Sequence, residues 1–251
     1  MVVTIIGGGH IGGACALGFA SAGSAQVTVT ARSAATLERF RGTQVRTSTD
    51  NAAAVRGADF VFLAVKTAQV PEALASIRDA IDFRRQVLVC LAAQVGPAEL
   101  EAAPRLLYAI PNTAVEIGRG VTFLSDISAG PEALEALKGL FDSVGTTVCV
   151  PYERLGAGIS LASCGAGYAL KYIASAAKVG EQMGFTPEES ARIVAQTVLG
   201  TSDLLMRGSC DPEADLRKVA TPGGMTERGV AAMEEAGFDA AVEAGLKANN
   251  W

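Results

Sequence analysis

The sequence predicts an α/β protein, in which an N-terminal, Rossmann-type doubly wound sheet is followed by an all-α domain. Short apolar segments that suit buried parallel strands alternate with helical segments from residue 2 to about residue 150. After Pro151 no further strand is predicted, and the pattern is helical. We therefore expect two domains, 1–150 and 151–251.

The first strand and the turn after it carry the clearest motif. Residues 2–6 predict a buried strand, and Gly7, Gly9 and Gly12 form a G-x-G-x-x-G that leads into a helix over 11–22. Gly7 permits a sharp turn, Gly9 lets the backbone approach a pyrophosphate, and Gly12 lets the helix pack tightly on the strand. The helix N-terminus favours an anion. A plain tight turn is the alternative, but the position between strand and helix favours dinucleotide binding.

The later elements of the first domain continue the alternation. The predicted strands are 26–30, 43–47, 59–65, 86–92, 105–110, 121–124 and 146–150, and the predicted helices are 37–41, 72–81 and 131–144. Lys66 follows the strand 59–65, and residues at the carboxyl ends of such strands face the ligand crevice of a doubly wound sheet.

The residues after the second strand indicate which dinucleotide is bound. Folds that bind NAD usually place an acid there for the ribose 2′-hydroxyl, but this chain has Ala31, Arg32 and Ser33. A guanidinium and a hydroxyl suit a 2′-phosphate. The sequence therefore favours NADPH, with NADH possible; a solvated surface arginine is the competing interpretation.

Composition limits the classes of function. The net charge is −5 and no cluster of Lys and Arg is present, so a nucleic-acid interface is not expected. Five scattered cysteines indicate reduced, mostly buried thiols in the cytosol, and the single histidine, His10, offers no His-based metal site. No signal peptide or membrane span is predicted. A mean hydropathy of +0.30 suggests that another subunit covers apolar surface.

The second domain is predicted to contain helices over 158–184, 186–206, 212–218 and 225–251. The first is apolar nearly all round, which predicts a buried helix that about 100 residues cannot cover alone. We therefore expect this domain to form a dimer. Its loop Thr221-Pro222-Gly223-Gly224-Met225-Thr226 precedes a helix, so the backbone N–H groups from Gly223 to Thr226 predict a carboxylate pocket, with an ordinary N-capped helix as the alternative.

Taken together, these motifs resemble the pyrroline-5-carboxylate reductase family over nearly the whole chain. The resemblance rests on GGGHIGG at 7–13, Ala31-Arg32-Ser33, Asn51, FLAVK at 62–66, PNT at 111–113, LFDSVG at 140–145, CGAGY at 164–168, QT at 196–197 and TPGGMT at 221–226. It implies a cytoplasmic homodimer or higher homo-oligomer that reduces 1-pyrroline-5-carboxylate, a cyclic imino acid, to L-proline with NADPH.

The resemblance also implies roles for individual residues. Those implied to hold the cofactor are Gly7, Gly9, His10, Ile11 and Gly12 at the pyrophosphate, Arg32 and Ser33 at the 2′-phosphate, and Asn51, Ala64, Val65, Lys66 and Ala93 along the path to the nicotinamide. Those implied to bind the substrate are Val219, Thr221, Gly223, Gly224, Met225 and Thr226, in a loop implied to come from the partner subunit. Thr226 is implied to be catalytic, with its hydroxyl on the imine nitrogen.

Several residues depart from the family pattern, mainly on the substrate side. The family's S-G-S-G-P-A-Y reads ASCGAGY at 162–168, its A-A-G-V has Gln94 at the glycine, and Lys218 replaces an asparagine. Two alternatives stay open. One is a related imine, 2-oxoacid or hydroxyacid reductase; in the case of a β-hydroxyacid dehydrogenase, Lys171 or Lys178 would be the catalytic lysine. The other is a non-catalytic NADP-binding paralogue.

Overall fold

The computed structural model describes residues 1–92, 94–100, 103–208 and 210–249. These residues form two compact units, Met1–Ser163 and Cys164–Asn250 as far as the described residues extend. The two-domain organisation with a boundary at residue 150 remains a prediction, since the units mark compactness and not domain function. Ala93 and the last two residues lie outside the described residues.

The first unit is built on one eight-stranded sheet with the order β3-β2-β1-β4-β5-β6-β7-β8. All neighbouring strands are parallel except β6 and β7. The strands are β1 Val2–Ile6, β2 Gln26–Thr30, β3 Arg46–Ser48, β4 Phe60–Leu63, β5 Val87–Cys90, β6 Leu106–Pro111, β7 Gly120–Asp126 and β8 Gly145–Cys149. Every residue of β4, β5 and β6 is buried, as in sheets covered on both faces. The predicted α/β fold is confirmed.

The helices of this unit are α1 His10–Ser21, α2 Ala34–Leu37, α3 Asn51–Val55, α4 Val70–Ile77, α5 Pro131–Asp142 and α6 Leu155–Gly158. The helices α1 to α5 connect strands, and α6 follows the last strand, β8. Three aromatic rings, those of Phe19, Phe62 and Phe141, pack α1 and α5 against β4 with ring centroids 5.1 to 6.1 Å apart. This packing fixes α1, and with it the glycine turn, on the sheet.

Three local features of the unit were not predicted. The helix α3 was missed, and the predicted strand 43–47 lies instead at Arg46–Ser48. The strands β6 and β7 are antiparallel because only the short 3-10 turn Thr113–Ile117 joins them, whereas a parallel crossover needs about a dozen residues. Asn112 closes this connection, since its side-chain oxygen accepts from the Val121 N–H at 3.2 Å.

The cysteines only partly match the expectation of buried thiols. Cys15 and Cys90 are buried, and burial raises the pKa of each thiol to about 12, which leaves them unreactive. Cys149 and Cys210 are exposed. The expectation is wrong for these two because Cys149 ends the edge strand β8 and Cys210 lies in the connection before a helix.

The second unit is helical. Its helices are α7 Gly165–Gln182, α8 Pro187–Arg207, α9 Pro212–Val219, α10 Met225–Glu235 and α11 Phe238–Lys247. A capping box between Thr186 and Glu189 begins α8, and the Ser190 hydroxyl donates to the Ala177 carbonyl of α7 at 2.6 Å. The single helix predicted over 225–251 is wrong because Gly237 adopts a left-handed conformation, φ +85°, which ends α10.

The apolar surface of α7 is largely exposed within this unit. Ala177 is the buried residue of α7, whereas Leu170 is 65% and Val179 is 46% exposed. The sequence predicts that about 100 residues cannot cover this helix alone, and its exposure within the single chain agrees with that prediction. Among the described residues, none of the helices has the length and apolar character needed to cross a membrane.

Candidate functional site

The glycine turn after β1 is shaped by close backbone contacts. Gly7 has φ +110°, and a Cβ there would lie 2.5 Å from the Ala64 carbonyl oxygen. A Cβ on Gly12 would lie 2.0 Å from the Gly7 oxygen. Gly9, the N-cap of α1, faces open space, since a Cβ there would meet no atom within 4 Å. The turn therefore leaves room for a ligand at Gly9 and none at Gly7 or Gly12.

A cavity of about 320 Å³ lies at the carboxyl ends of β1, β2 and β4. It brings together eight of the residues predicted to bind the cofactor: Gly7, Gly9, Arg32, Ser33, Asn51, Ala64, Val65 and Lys66. His10, Ile11 and Gly12 begin α1 next to the turn but are not among the lining residues. Ala93 lies outside the described residues.

The cavity wall is positively charged at the end of β2. The Arg32 side chain is exposed, and within the described residues no carboxylate lies within 4.0 Å of it. The Ser33 Oγ accepts from the Ala35 N–H at 3.2 Å as the N-cap of α2, which leaves its hydroxyl hydrogen able to donate. The guanidinium and the hydroxyl suit a phosphate monoester. Lys66, also exposed, lines the cavity after β4, two strands along the sheet from β2.

The Asn51 side chain is held rigidly at the cavity by a chain of hydrogen bonds. The Thr30 hydroxyl donates to Asn51 Oδ1 at 2.5 Å, and Asn51 Nδ2 donates to the Ser76 hydroxyl at 2.9 Å. Ser76 donates in turn to the Ala73 carbonyl at 2.6 Å. One N–H of the Asn51 amide remains for a ligand.

Further residues of the cavity were missed by sequence reasoning. Its lining also includes Gln69, the N-cap of α4, and three residues of that helix, Glu72, Ala73 and Ser76. Counted from Gln69, these lie at i+3, i+4 and i+7, which is one face of a helix. That spacing was a usable signal, because α4 begins just after the crevice residue Lys66.

Arg39 supports the glycine turn from outside the cavity. Its Nη1 donates to the Gly9 carbonyl at 3.4 Å, and its Nη2 pairs with Glu116 Oε2 at 3.1 Å. A Cβ on Gly13 would lie 2.5 Å from Arg39 Nη1, so the guanidinium packs directly on the start of α1. Nothing in the sequence marked Arg39, which resembles any charged residue of a short surface helix.

The turn 221–226 lies in the helical unit between α9 and α10. Gly223 has φ +75°, Gly224 is the N-cap of α10, and the Gly224 N–H donates to the Thr221 carbonyl at 2.9 Å. Val219 ends α9 and is 65% exposed, Met225 is 83% exposed, and Thr226 is also exposed.

The donors of this turn are fewer than the sequence predicted. The Gly223 N–H donates to Glu227 Oε2 at 2.6 Å, and the Gly224 N–H is used within the turn. The predicted pocket of four open N–H groups is corrected accordingly, because a neighbouring side chain and the turn itself satisfy two of them. The N–H groups of Met225 and Thr226, in the first turn of α10, have no acceptor inside the helix.

Two family models match the chain. Residues 153–250 match the model described as pyrroline-5-carboxylate reductase dimerisation, which indicates a homo-oligomer. Residues 2–94 match the model described as NADP oxidoreductase, coenzyme F420-dependent. The two matches cover most of the helical unit and the part of the sheet that forms the cavity.

Individual relatives cover almost the whole chain. Pyrroline-5-carboxylate reductase 1 of Dictyostelium discoideum is 30% identical over 97% of the chain, which spans about half, 48%, of that relative. Pyrroline-5-carboxylate reductase of Mycobacterium tuberculosis is 30% identical over 98% of the chain and 93% of the relative. Among solved structures, Plasmodium falciparum pyrroline carboxylate reductase with NADP bound has the same fold, with a TM-score of 0.87 at 20% identity, covering 99% of this chain and 95% of that one.

Proposed function

Since the chain belongs to the pyrroline-5-carboxylate reductase family, we propose that it reduces 1-pyrroline-5-carboxylate to L-proline with NADPH. The observation that carries the proposal is the cavity at the glycine turn, where eight residues expected at a dinucleotide lie together. The similarity to a mycobacterial reductase extends over 98% of the chain and is not confined to a cofactor domain, which supports the imine as substrate.

The residues around the cavity fit NADPH. The open side of Gly9 and the N-terminus of α1 suit the pyrophosphate, with His10, Ile11 and Gly12 supplying the first turn of that helix. Arg32 and Ser33 suit the 2′-phosphate, and no acidic side chain replaces them at the end of β2. We assign Asn51, Ala64, Val65, Lys66 and Ala93 to the path towards the nicotinamide. NADH lacks the phosphate that Arg32 would bind and is the poorer cofactor.

The main task of the protein in this reaction is to position the substrate against the cofactor. NADPH, when bound, supplies the hydride for the imine carbon. The protein holds the substrate so that the imine carbon lies about 3–3.5 Å from the hydride donor and keeps water away. The N–H groups of Met225 and Thr226 bind the substrate carboxylate, Val219, Thr221, Gly223 and Gly224 shape the pocket, and the Thr226 hydroxyl orients or protonates the imine nitrogen.

The proposal extends to assembly and location. We propose a homodimer formed through the helical unit, in which the turn 221–226 of a partner subunit completes the substrate site. The exposed apolar side chains of α7 and α8, among them Leu170 and Leu199, support an interface there. We place the protein in the cytoplasm.

The proposal is tested by NADPH oxidation with a panel of substrates. The panel contains 1-pyrroline-5-carboxylate, 1-pyrroline-2-carboxylate, a 2-oxoacid and, in the reverse direction with NADP⁺, a 3-hydroxyacid. We expect turnover chiefly with the first imine and formation of L-proline. Turnover with the hydroxyacid, lost when Lys171 or Lys178 is replaced by Ala, would contradict the proposal, as would NADPH binding without turnover on any imine.

A further inference from the structure

An acidic side chain directly after the turn 221–226 binds the turn itself. Glu227 Oε2 accepts from the Gly223 N–H at 2.6 Å, and the next residue, Arg228, donates from Nη1 to the Gly223 carbonyl at 2.9 Å. Two adjacent side chains of opposite charge thus hold both backbone polar groups of one glycine. The proposed mechanism uses neither side chain.

The position of Glu227 in its helix explains this contact. Glu227 is the third residue of α10, where a carboxylate is favoured by the helix dipole and reaches back over the helix start. In a capping box it would bind the N-cap N–H, but that group, on Gly224, already donates to the Thr221 carbonyl at 2.9 Å. The carboxylate therefore reaches the preceding residue, Gly223, inside the turn.

This contact has the same chemistry as the contact proposed for the substrate. A carboxylate oxygen accepts a backbone N–H of the turn, and in the free protein the carboxylate belongs to Glu227. We propose that Glu227 is a specificity-determining residue that competes with the substrate carboxylate for this turn. The inference rests on the proposed function, because it takes the turn to be the substrate's carboxylate site.

Glu227 opposes an anionic substrate in two ways. While the Glu227 carboxylate is bound to the turn, the Gly223 N–H cannot donate to the substrate. The substrate carboxylate then has only the N–H groups of Met225 and Thr226 as donors in this turn. If Glu227 is displaced, its charge stays on the same turn of helix, close to the substrate carboxylate, and like charges repel. The guanidinium of the neighbouring residue, Arg228, is already bound to the Gly223 carbonyl. An imine without a carboxylate meets neither obstacle.

The test compares two variants of Glu227 with a matched control. Glu227→Gln keeps an oxygen that can accept the Gly223 N–H but removes the charge, and Glu227→Ala removes both. Glu234→Gln makes the same change of charge two helical turns along α10, about 10 Å away, or about one Debye length at 0.1 M salt. The KM and kcat of each full-length protein are measured with saturating NADPH for 1-pyrroline-5-carboxylate and for 1-pyrroline, which lacks the carboxylate.

We expect the KM for 1-pyrroline-5-carboxylate to fall about tenfold in Glu227→Ala, the size of one charge-assisted hydrogen bond, and by a smaller factor in Glu227→Gln, which keeps an acceptor for the Gly223 N–H; kcat should stay within about twofold of wild type in both. Glu234→Gln should leave this KM unchanged, and kcat/KM for 1-pyrroline should not move. An unchanged or higher KM in Glu227→Gln, or an equal change with both imines, would overturn the inference alone. A wild-type protein that turns over neither imine would overturn the proposed function and the inference with it.

Discussion

Replacing Arg32 by Ala tests the choice of cofactor at a position where the sequence and the cavity agree on it. Arg32 lies on the wall of the cavity next to Ser33, and within the described residues no carboxylate neutralises it within 4.0 Å. A hydrogen bond to a charged group contributes about 1.5–3 kcal/mol. Because the side chain is exposed, screening by water favours the lower value. Loss of this hydrogen bond in Arg32→Ala should therefore raise the Kd for NADPH about tenfold.

The assay is the Kd of NADPH and of NADH measured by nucleotide fluorescence at fixed ionic strength. We expect the Kd for NADH to change by less than about twofold, because NADH has no 2′-phosphate. Arg85→Ala is the matched control, since Arg85 is exposed and precedes β5, at the amino ends of the strands, whereas the cavity lies at their carboxyl ends. An equal loss of affinity for both cofactors, or no loss for NADPH, would refute the role assigned to Arg32.

Three further variants test other parts of the account. Thr226→Ala should lower kcat about 10- to 100-fold at saturating substrate, as expected for one lost donor near developing charge; a wild-type kcat would remove its catalytic role. Gly12→Ala should lower the free energy of unfolding, measured in urea, by about 3 kcal/mol, because the new Cβ would lie 2.0 Å from a backbone oxygen. The control Gly139→Ala on α5 should not destabilise the protein, because a Cβ there meets no atom within 4 Å. Arg39→Ala should weaken the binding of NADPH and of NADH alike, roughly threefold, because the Arg39 side chain supports the carbonyl of Gly9. A loss of affinity confined to NADPH would contradict this role.

The features that sequence reasoning found are those set by local backbone geometry. The glycine turn is predictable because a strand, a turn and a helix at fixed spacing leave no room for a Cβ at Gly7 or Gly12. Arg32 and Ser33 are predictable for a similar reason: they follow β2 directly, and parallel strands bring their carboxyl ends to one edge of the sheet. In both cases a short stretch of sequence determines where the residues lie.

The features that sequence reasoning missed depend on the direction of single side chains. Arg39 reaches Gly9 from 30 residues away, and Glu227 folds back to Gly223 only because the Gly224 N–H is already used. The hydrophobic periodicity of a sequence gives no information on such side-chain rotamers. The exposed apolar residues of α7, by contrast, agree with the predicted dimer, although the sequence pattern does not say which part of a second chain covers them.

The most direct test of the central claim is to follow the hydride itself. Wild-type protein is incubated with 1-pyrroline-5-carboxylate and NADPH that carries deuterium at both hydrogens of nicotinamide C4, and the amino acid formed is analysed by mass spectrometry and NMR. The account predicts L-proline with one deuterium on the former imine carbon, in amounts equal to the NADPH consumed. Oxidation of NADPH without deuterated proline, or no oxidation at all, would contradict it.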